Sequence, residues 1–323
     1  PSMTKKRIYL APMVGRTDQH FRTFIRILSK NIHLYTEMIT CDTFLHSNRN
    51  RIKVHNYEDP ITIQLAGSDP EKYMKCSKII QEQGFSEINL NIGCPSNKVI
   101  KGKFGACLMN YPNQVAEIVE AIKESCSLPV SIKTRLGLDY DENLDLLHKF
   151  IHKTSNAGCN TYFLHARNAI LKGISPKKNR SIPSLRYDDA LKVKQEFPNL
   201  SIILNGVIKS MDEVIHYSNL FDGIMIGRKI YDDPMFLINI EHKIFNSMSF
   251  FDKKTILEVY LKYSINQINS GVSKYFLFKH LFGLYYKTNF SKKWKKFLNM
   301  IIRDEVDILK VPLFEEMIYE KKI

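Results

Sequence analysis

No apolar run in this chain approaches the roughly 20 residues needed to cross a bilayer, so a helical membrane protein is excluded and no membrane partner is expected. The N-terminal "PSMTKKRIYLAPM" carries two lysines and an arginine, but its apolar stretch is too short for a signal peptide. The expectation is a cytoplasmic protein, or one of an organelle matrix if a presequence has been removed. Six cysteines occur and none forms a C-x-x-C pair, which removes the usual zinc-site signature. With no secretory signal, a disulfide framework is not expected either. No G-x-G-x-x-G follows the first strand-like run, so the dinucleotide fingerprint of a doubly wound sheet is missing. Acidic residues are absent from Ser264 to Ile302.

What is present is basic and rhythmic. The 323 residues carry a formal net charge of +14, with 35 lysines and 12 arginines. Such an excess favours an anionic partner such as nucleic acid. An AT-rich coding bias toward Lys, Asn and Ile produces the same excess without function, so charge alone does not decide. Short β-rich runs recur at 8–13, 34–39, 61–67, 87–93, 129–135, 161–167, 201–207 and 223–228. Stretches of helical spacing separate them, for example 18–30, 69–83, 111–125 and 143–156. Strand–helix alternation implies a parallel sheet, and eight such units imply an α/β fold closed as a (β/α)8 TIM barrel. Beyond about residue 243 only helical periodicity remains, in 255–268, 273–288, 291–302 and 311–322. The expected organisation is a barrel domain over 1–242 followed by a C-terminal helical bundle domain over 243–323.

In such a barrel chemistry sits at the C-terminal ends of the strands. Nearly every strand places a polar or special residue there: Met13, Glu37, Gln64, Asn91 with Cys94, Lys133 with Arg135, His165 with Arg167, Asn205 with Gly206, and Gly227 with Arg228. The small residues after strands seven and eight suit a phosphate, because backbone N–H groups can approach its oxygens. Cys94 stands just past the strand "EINLNIG", and its thiol has two possible roles. As a thiolate it is a nucleophile that requires a nearby base. As a thiol it is a general acid, and a cysteine with an unperturbed pKa of roughly 8.5 keeps its proton at neutral pH.

Two basic elements lie outside the strands. "SKKWKK" supplies Lys292, Lys293, Lys295 and Lys296 inside the acid-free stretch, with aromatics interleaved. The plain reading makes the aromatics a bundle core and the lysines its solvated face. The missing acids add phosphate attraction to that. The second element is the loop 168–187, with Lys172, Lys177, Lys178, Arg180 and Arg186. Long ordered loops on the active face of a barrel are usually functional.

The segments "YLAPMVGRTDQHFR", "LYTEMIT", "INLNIGCPSNKV", "GKFGACLM", "VSIKTRLG", "LHARNAILKGISPKKNRSIPSLRY", "ILNGVI" and "IGR" occur in order over nearly the whole chain. Together they resemble the tRNA-dihydrouridine synthase family, and the HAR…SPK.NR.IP block resembles its DusA subfamily. The resemblance implies an FMN enzyme that reduces the C5–C6 double bond of a D-loop uridine, at positions 20/20a, with NADPH as reductant. It implies a flavin lined or held by Ala11, Pro12, Met13, Gln64, Lys133, His165, Asn205, Gly206, Val207, Gly227 and Arg228. It implies Cys94 as the general acid and Asn91 as a substrate-contacting amide. Arg167, Lys177, Arg180 and the four lysines of "SKKWKK" then fall on the tRNA side, and the glycines of "KGKFGACLM" imply a loop that closes over the base. No metal and no protein partner is implied. Two positions and the tail depart from the family's pattern: Ala66 and Val207 stand where glycine is expected, and the tail has Lys where relatives often have Arg. Two other readings compete. A flavin barrel acting on free pyrimidines, like dihydroorotate dehydrogenase, predicts no basic helical tail. A non-catalytic RNA-binding barrel predicts loss of Cys94 or of the phosphate glycines, and all are present.

Overall fold

The computed structural model describes residues 6–47, 54–95, 103–248 and 251–322. Packing divides the chain into two compact units, one of residues up to Met13 with His33–Ile226, the other of Val14–Ile32 with Gly227–Ile323. Helix α1 (Gln19–Leu28) belongs to the second unit although it falls between the first two strands in sequence.

The first unit holds one sheet of eight parallel strands: β1 (Ile8–Leu10), β2 (Leu34–Thr40), β3 (Ile61–Ala66), β4 (Glu87–Ile92), β5 (Val130–Leu138), β6 (Thr161–Ala169), β7 (Ser201–Asn205) and β8 (Gly223–Ile226). The order is β1-β8-β7-β6-β5-β4-β3-β2. It closes where Leu10 N donates to His33 O at 2.8 Å and His33 N donates to Ile8 O at 2.9 Å. This is the expected TIM barrel. The helices between the strands are α2 (Cys41–His46), α3 (Pro70–Gln81), α4 (Pro112–Ser125), α5 (Asp145–Asn156), α6 (Tyr187–Glu196) and α7 (Met211–Leu220). Except for β2 beyond Thr36, the strands are buried along nearly their whole length, one face against helices and one against the barrel axis, which explains their near-continuous apolar runs.

The barrel interior has two halves. Tyr9, Ala11, Tyr35, Phe163, Ile203 and Met225 form a buried apolar cluster from β1 and its end, β2, β6, β7 and β8. Phe163 packs edge-on to Tyr9 at 4.9 Å and to Tyr35 at 5.6 Å. The remaining strands fill their half with polar side chains: Thr62 and Gln64 on β3, Asn89 and Asn91 on β4, and Ser131 on β5, all buried. Buried amides and hydroxyls persist only when bonded to one another, and these are.

Strands β5 and β6 outrun their expected ends at 135 and 167, because Gly137 pairs with Asn168 and Leu138 with Ala169 past a bulge. That extension arises from pairing between strands rather than from either run alone.

In the second unit α8 (Arg228–Asp232), α9 (Phe236–Lys243), α10 (Lys253–Asn269), α11 (Lys274–Phe278), α12 (Ser291–Ile302) and α13 (Phe314–Tyr319) gather with α1. Asp18 caps α1 by accepting from Phe21 N at 2.9 Å, and the same carboxylate meets His280 Nε2 at 2.9 Å. Buried Glu241 on α9 accepts from Asn31 N at 3.1 Å and from the Ser29 hydroxyl. These bonds tie α1 to the tail, so packing groups residues differently from the sequence-based division at 242/243. The helix expected over 273–288 is instead the short α11 followed by a 3-10 turn, Lys279–Tyr285. Within that turn Gly283 packs directly on Asp232 O, an approach that a Cβ would block and only a bare backbone permits. Among the described residues no helix is long and apolar enough to cross a membrane.

Candidate active site

A chain of hydrogen bonds climbs the polar half of the barrel and ends at Cys94. Asn89 Nδ2 donates to Ser131 Oγ at 2.8 Å, and Gln64 Nε2 donates to Asn89 Oδ1 at 2.9 Å. Asn91 Nδ2 donates to Gln64 Oε1 at 3.1 Å. Asn91 Oδ1 then accepts from Gly93 N at 3.1 Å and Cys94 N at 2.9 Å, turning the backbone sharply as β4 ends. Ala106 N donates to Cys94 O at 3.1 Å and fixes the turn from its other side. Cys94 itself is partly exposed. The sequence placed Asn89 and Asn91 on one face through their two-residue spacing. It did not reveal the partners, since Gln64 lies 27 residues away from Asn91.

Asn91, expected at the substrate, is bonded within the protein in this structure. Its carbonyl is taken by two backbone N–H groups and its amide nitrogen by Gln64 and the Met38 sulfur, 3.2 Å away. It holds the cysteine turn. Gln64, expected against the cofactor, is buried and bonded to Asn89 and Asn91. Its Nε2 has a second hydrogen beyond the one given to Asn89.

Cations gather beside Cys94. Burial pushes the Lys133 ammonium down to about 8, the neighbouring Arg135 charge adds to this, and Cys94 opposes it. Burial likewise pushes Arg135 down to about 10, with Cys94 opposing and Arg167 and Arg180 reinforcing. Arg135 is buried and gives Nη1 to two carbonyls, Asn168 O at 3.1 Å and Asn179 O at 2.8 Å. Asn179 is in turn the buried anchor of the 168–187 loop: its side chain accepts from Ile170 N at 2.8 Å and donates to Ile170 O at 3.0 Å. Lys177 and Arg180 flank this anchor and are exposed. Arg167, expected on the tRNA side, is buried and gives Nη1 to the backbone carbonyls of Ser181 and Pro183. It shapes the loop from beneath. Asn179 belongs to the "SPKKNR" block that carries the family resemblance, but its role as an anchor was not legible because it depends on bonds across the loop.

His165 on β6 pairs in register with Arg135 on β5 and with Asn205 on β7, so these three stand level at the C-terminal end of the barrel. Gly206 follows with φ +135°, and a Cβ there would meet His165 Cδ2 at 3.2 Å and Leu185 Cδ2 at 3.3 Å. The bare backbone lets the imidazole lie against it. Val207 has φ +47°, a region that suits glycine and strains a β-branched residue. The family's second glycine would sit there without cost. Ala11 is buried and donates its N–H to Ile226 O at 2.9 Å, with Pro12 and Met13 partly exposed beyond it. Gly227 and Arg228 follow β8 in the chain and belong to the second unit, where Gly227 caps α8 and Arg228 is exposed. Of the loop expected to close over a base, residues 101 and 102 lie outside the described residues, as does 96–100 before them.

In the second unit, α12 buries Trp294, Phe297, Leu298 and Ile301 and exposes Lys292, Lys293, Lys295 and Lys296. Trp294 Nε1 donates to Leu281 O at 2.7 Å. The aromatic of "SKKWKK" is core and its four lysines form a solvated face of one sign.

The family model described as "Dihydrouridine synthase (Dus)" matches residues 9–317. A Vibrio parahaemolyticus protein named tRNA-dihydrouridine(20/20a) synthase is 40% identical over 296 residues, covering 91% of this chain and 90% of its own. Proteins of the same name from Shewanella oneidensis and Pseudomonas putida are each 37% identical, covering 90% and 95% of this chain and 87% and 92% of their own. A model matched almost end to end, and likeness of this degree over nine-tenths of the length, place this chain in the dihydrouridine synthase family.

Proposed function

We propose that this member of the family forms dihydrouridine in tRNA by reducing the C5–C6 double bond of D-loop uridine, at positions 20/20a as its relatives' names state, with FMN in the barrel and NADPH as reductant, in the cytoplasm. The observation that carries the mechanism is the turn that presents Cys94 at the barrel mouth beside Lys133 and Arg135. The donor set fits a flavin. Lys133, His165 and Asn205 lie on the three neighbouring strands β5, β6 and β7 and would offer an ammonium, an imidazole and an amide to a flat, nitrogen- and oxygen-rich ring. Backbone N–H groups of the 205–207 turn would hold its phosphate. Reduced flavin, when bound, supplies hydride to C6 of the uracil.

The chain's own residues do the rest. Negative charge grows toward C5 and O4 of the ring as C6 is reduced. Arg135 and Lys133 are cations placed to stabilise it, in a site dry enough to strengthen their effect. The Cys94 thiol gives its proton to C5, completing the saturated bond. Asn91 keeps the sulfur in place throughout, through the backbone of residues 93 and 94. The target uracil has to leave the tRNA stack to reach a barrel mouth, so the enzyme works on an extruded base. Lys177 and Arg180 on the anchored loop, and the α12 lysines, meet phosphates of the surrounding RNA.

The test has two readings from one preparation. Protein reconstituted with FMN should show a flavin absorption band after removal of free cofactor. With NADPH and uridine-containing tRNA it should yield dihydrouridine, located by mass spectrometry of nuclease fragments. A protein that stays colourless after reconstitution, or tRNA that gains no two-hydrogen mass increment, sinks the proposal.

A further inference from the structure

The interleaved aromatics of the acid-free stretch are not all core. On α11, Leu277 and Phe278 are buried, whereas Tyr275 and Phe276 are 51% and 50% exposed. Their rings meet edge-on with centroids 5.4 Å apart. The Lys279 ammonium lies 5.5 Å from the Tyr275 centroid and 5.3 Å from that of Phe276. It is held there by donating to Gly15 O at 3.1 Å. A single exposed ring needs no explanation, but two adjacent ones under a tethered cation do. The patch lies in a 39-residue stretch, 264–302, that contains no Asp or Glu. A protein partner's acidic groups would match the charge but leave the two ring faces unexplained. An unpaired nucleobase matches both, with a π-face for the rings and a phosphate for the ammonium.

We propose that Tyr275 and Phe276 form a stacking platform for an unpaired base of the tRNA, with Lys279 engaging the adjoining phosphate. This rests on tRNA being the substrate and adds stacking on a base to the phosphate interactions of α12. Unlike those, it gains little from counterion release, so it sets affinity without setting salt dependence.

The experiment compares tRNA dissociation constants over a salt series for the wild type, Tyr275→Ala with Phe276→Ala, and Phe276→Trp. Stacking contributes about 1–3 kcal/mol per base, so the double alanine variant should bind roughly 5- to 150-fold more weakly, with an unchanged log–log salt slope. Its KM for tRNA should rise while kcat holds within about twofold. Phe276→Trp should keep wild-type affinity, and its indole fluorescence should be quenched on tRNA addition, against the constant signal of buried Trp294. Wild-type affinity in the double alanine variant overturns the platform, and so does an unquenched indole at saturating tRNA. The second result holds even if the alanine variant folds poorly. A wild type that binds no tRNA instead overturns the proposed function, and the platform with it.

Discussion

Asn91 Oδ1 lies 2.9 Å from the backbone nitrogen of Cys94 and accepts its hydrogen, so the last polar residue of β4 sets the direction of the turn that carries the thiol. The same oxygen takes Gly93 N, and the amide nitrogen is secured by Gln64, whose own amide is bonded to Asn89. The position of the sulfur is thus inherited from a network that reaches down to Ser131.

Asn91→Ala removes the acceptor for two backbone N–H groups, one buried and one partly buried. At roughly 1 kcal/mol for each bond the fold should lose about 2 kcal/mol and survive. The turn should loosen, and a displacement of about 1 Å at a reacting group costs on the order of 100-fold in rate. The expected result is a kcat at least tenfold down with FMN affinity nearly intact. A variant with full turnover would show that Cys94 does not depend on this turn.

Cys94→Ala removes the proton donor and little else, since Cys94 is bound to its neighbours through backbone atoms. General acid catalysis typically contributes roughly 100- to 10,000-fold, so turnover should fall by that order while FMN and tRNA binding stay near wild type. Single-turnover oxidation of the reduced enzyme by tRNA is the direct measurement. Unchanged rates would assign the proton to another group.

These two residues mark the limit of what the sequence discloses. The eight strands were legible because each is a short β-rich run, mostly apolar, set off from its neighbours by stretches of helical spacing. The barrel then follows from repetition, and Cys94 from its place past a strand end. The partner of Asn91 was not legible, because it requires knowing that β3 and β4 are neighbours in a given register. Arg167 reads as a surface cation in "LHARNA", yet it lies under its loop, a fact fixed by the path of residues 181–183. Tyr275 and Phe276 read as core because aromatic residues usually are, and only the packing of Leu277 and Phe278 assigns them outward.

Val207→Gly should stabilise the protein. A left-handed conformation costs an ordinary residue about 1–2 kcal/mol, and glycine gives back roughly half to one of these through its freer unfolded chain. The net gain is on the order of 1 kcal/mol, read as a Tm higher by a few degrees. The bare backbone should also approach a phosphate more closely and tighten FMN. A lower Tm would mean that the Val207 side chain contributes packing worth more than the strain at φ +47°.

Glu87, at the other end of β4, predicts a pH dependence. Burial pushes its carboxyl up to about 7, against the opposing effects of the Thr62 and Ser131 hydroxyls and the Arg7 charge. Thr62 Oγ1 donates to it at 3.1 Å and also meets His33 Nε2 at 2.6 Å. Between the ordinary value of 4.5 and about 7 the folded protein holds a proton that the unfolded chain has lost. Stability from this group is therefore complete below 4.5 and declines as pH rises through 7. Glu87→Gln removes the decline, so its Tm should gain on the wild type between about pH 5 and pH 8. An equal difference at both values would mean that Glu87 is already ionised throughout.

The α12 lysines give the last prediction, and their geometry makes it sharper than composition allows. Lys292, Lys293, Lys295 and Lys296 are all exposed, while the buried stripe of Trp294, Phe297, Leu298 and Ile301 keeps the helix in place. Replacing all four lysines with glutamine leaves that stripe untouched, so Tm should change little. Every lysine–phosphate pairing removed this way should lower the salt slope of tRNA binding by about 0.7–0.9. Removing two or more would flatten the slope by at least about 1.4 and weaken binding most at low salt. The platform variant on α11 should do the reverse, weakening binding with its slope intact. An unchanged slope in the glutamine variant would make these lysines a solvated face and leave their charge to codon bias.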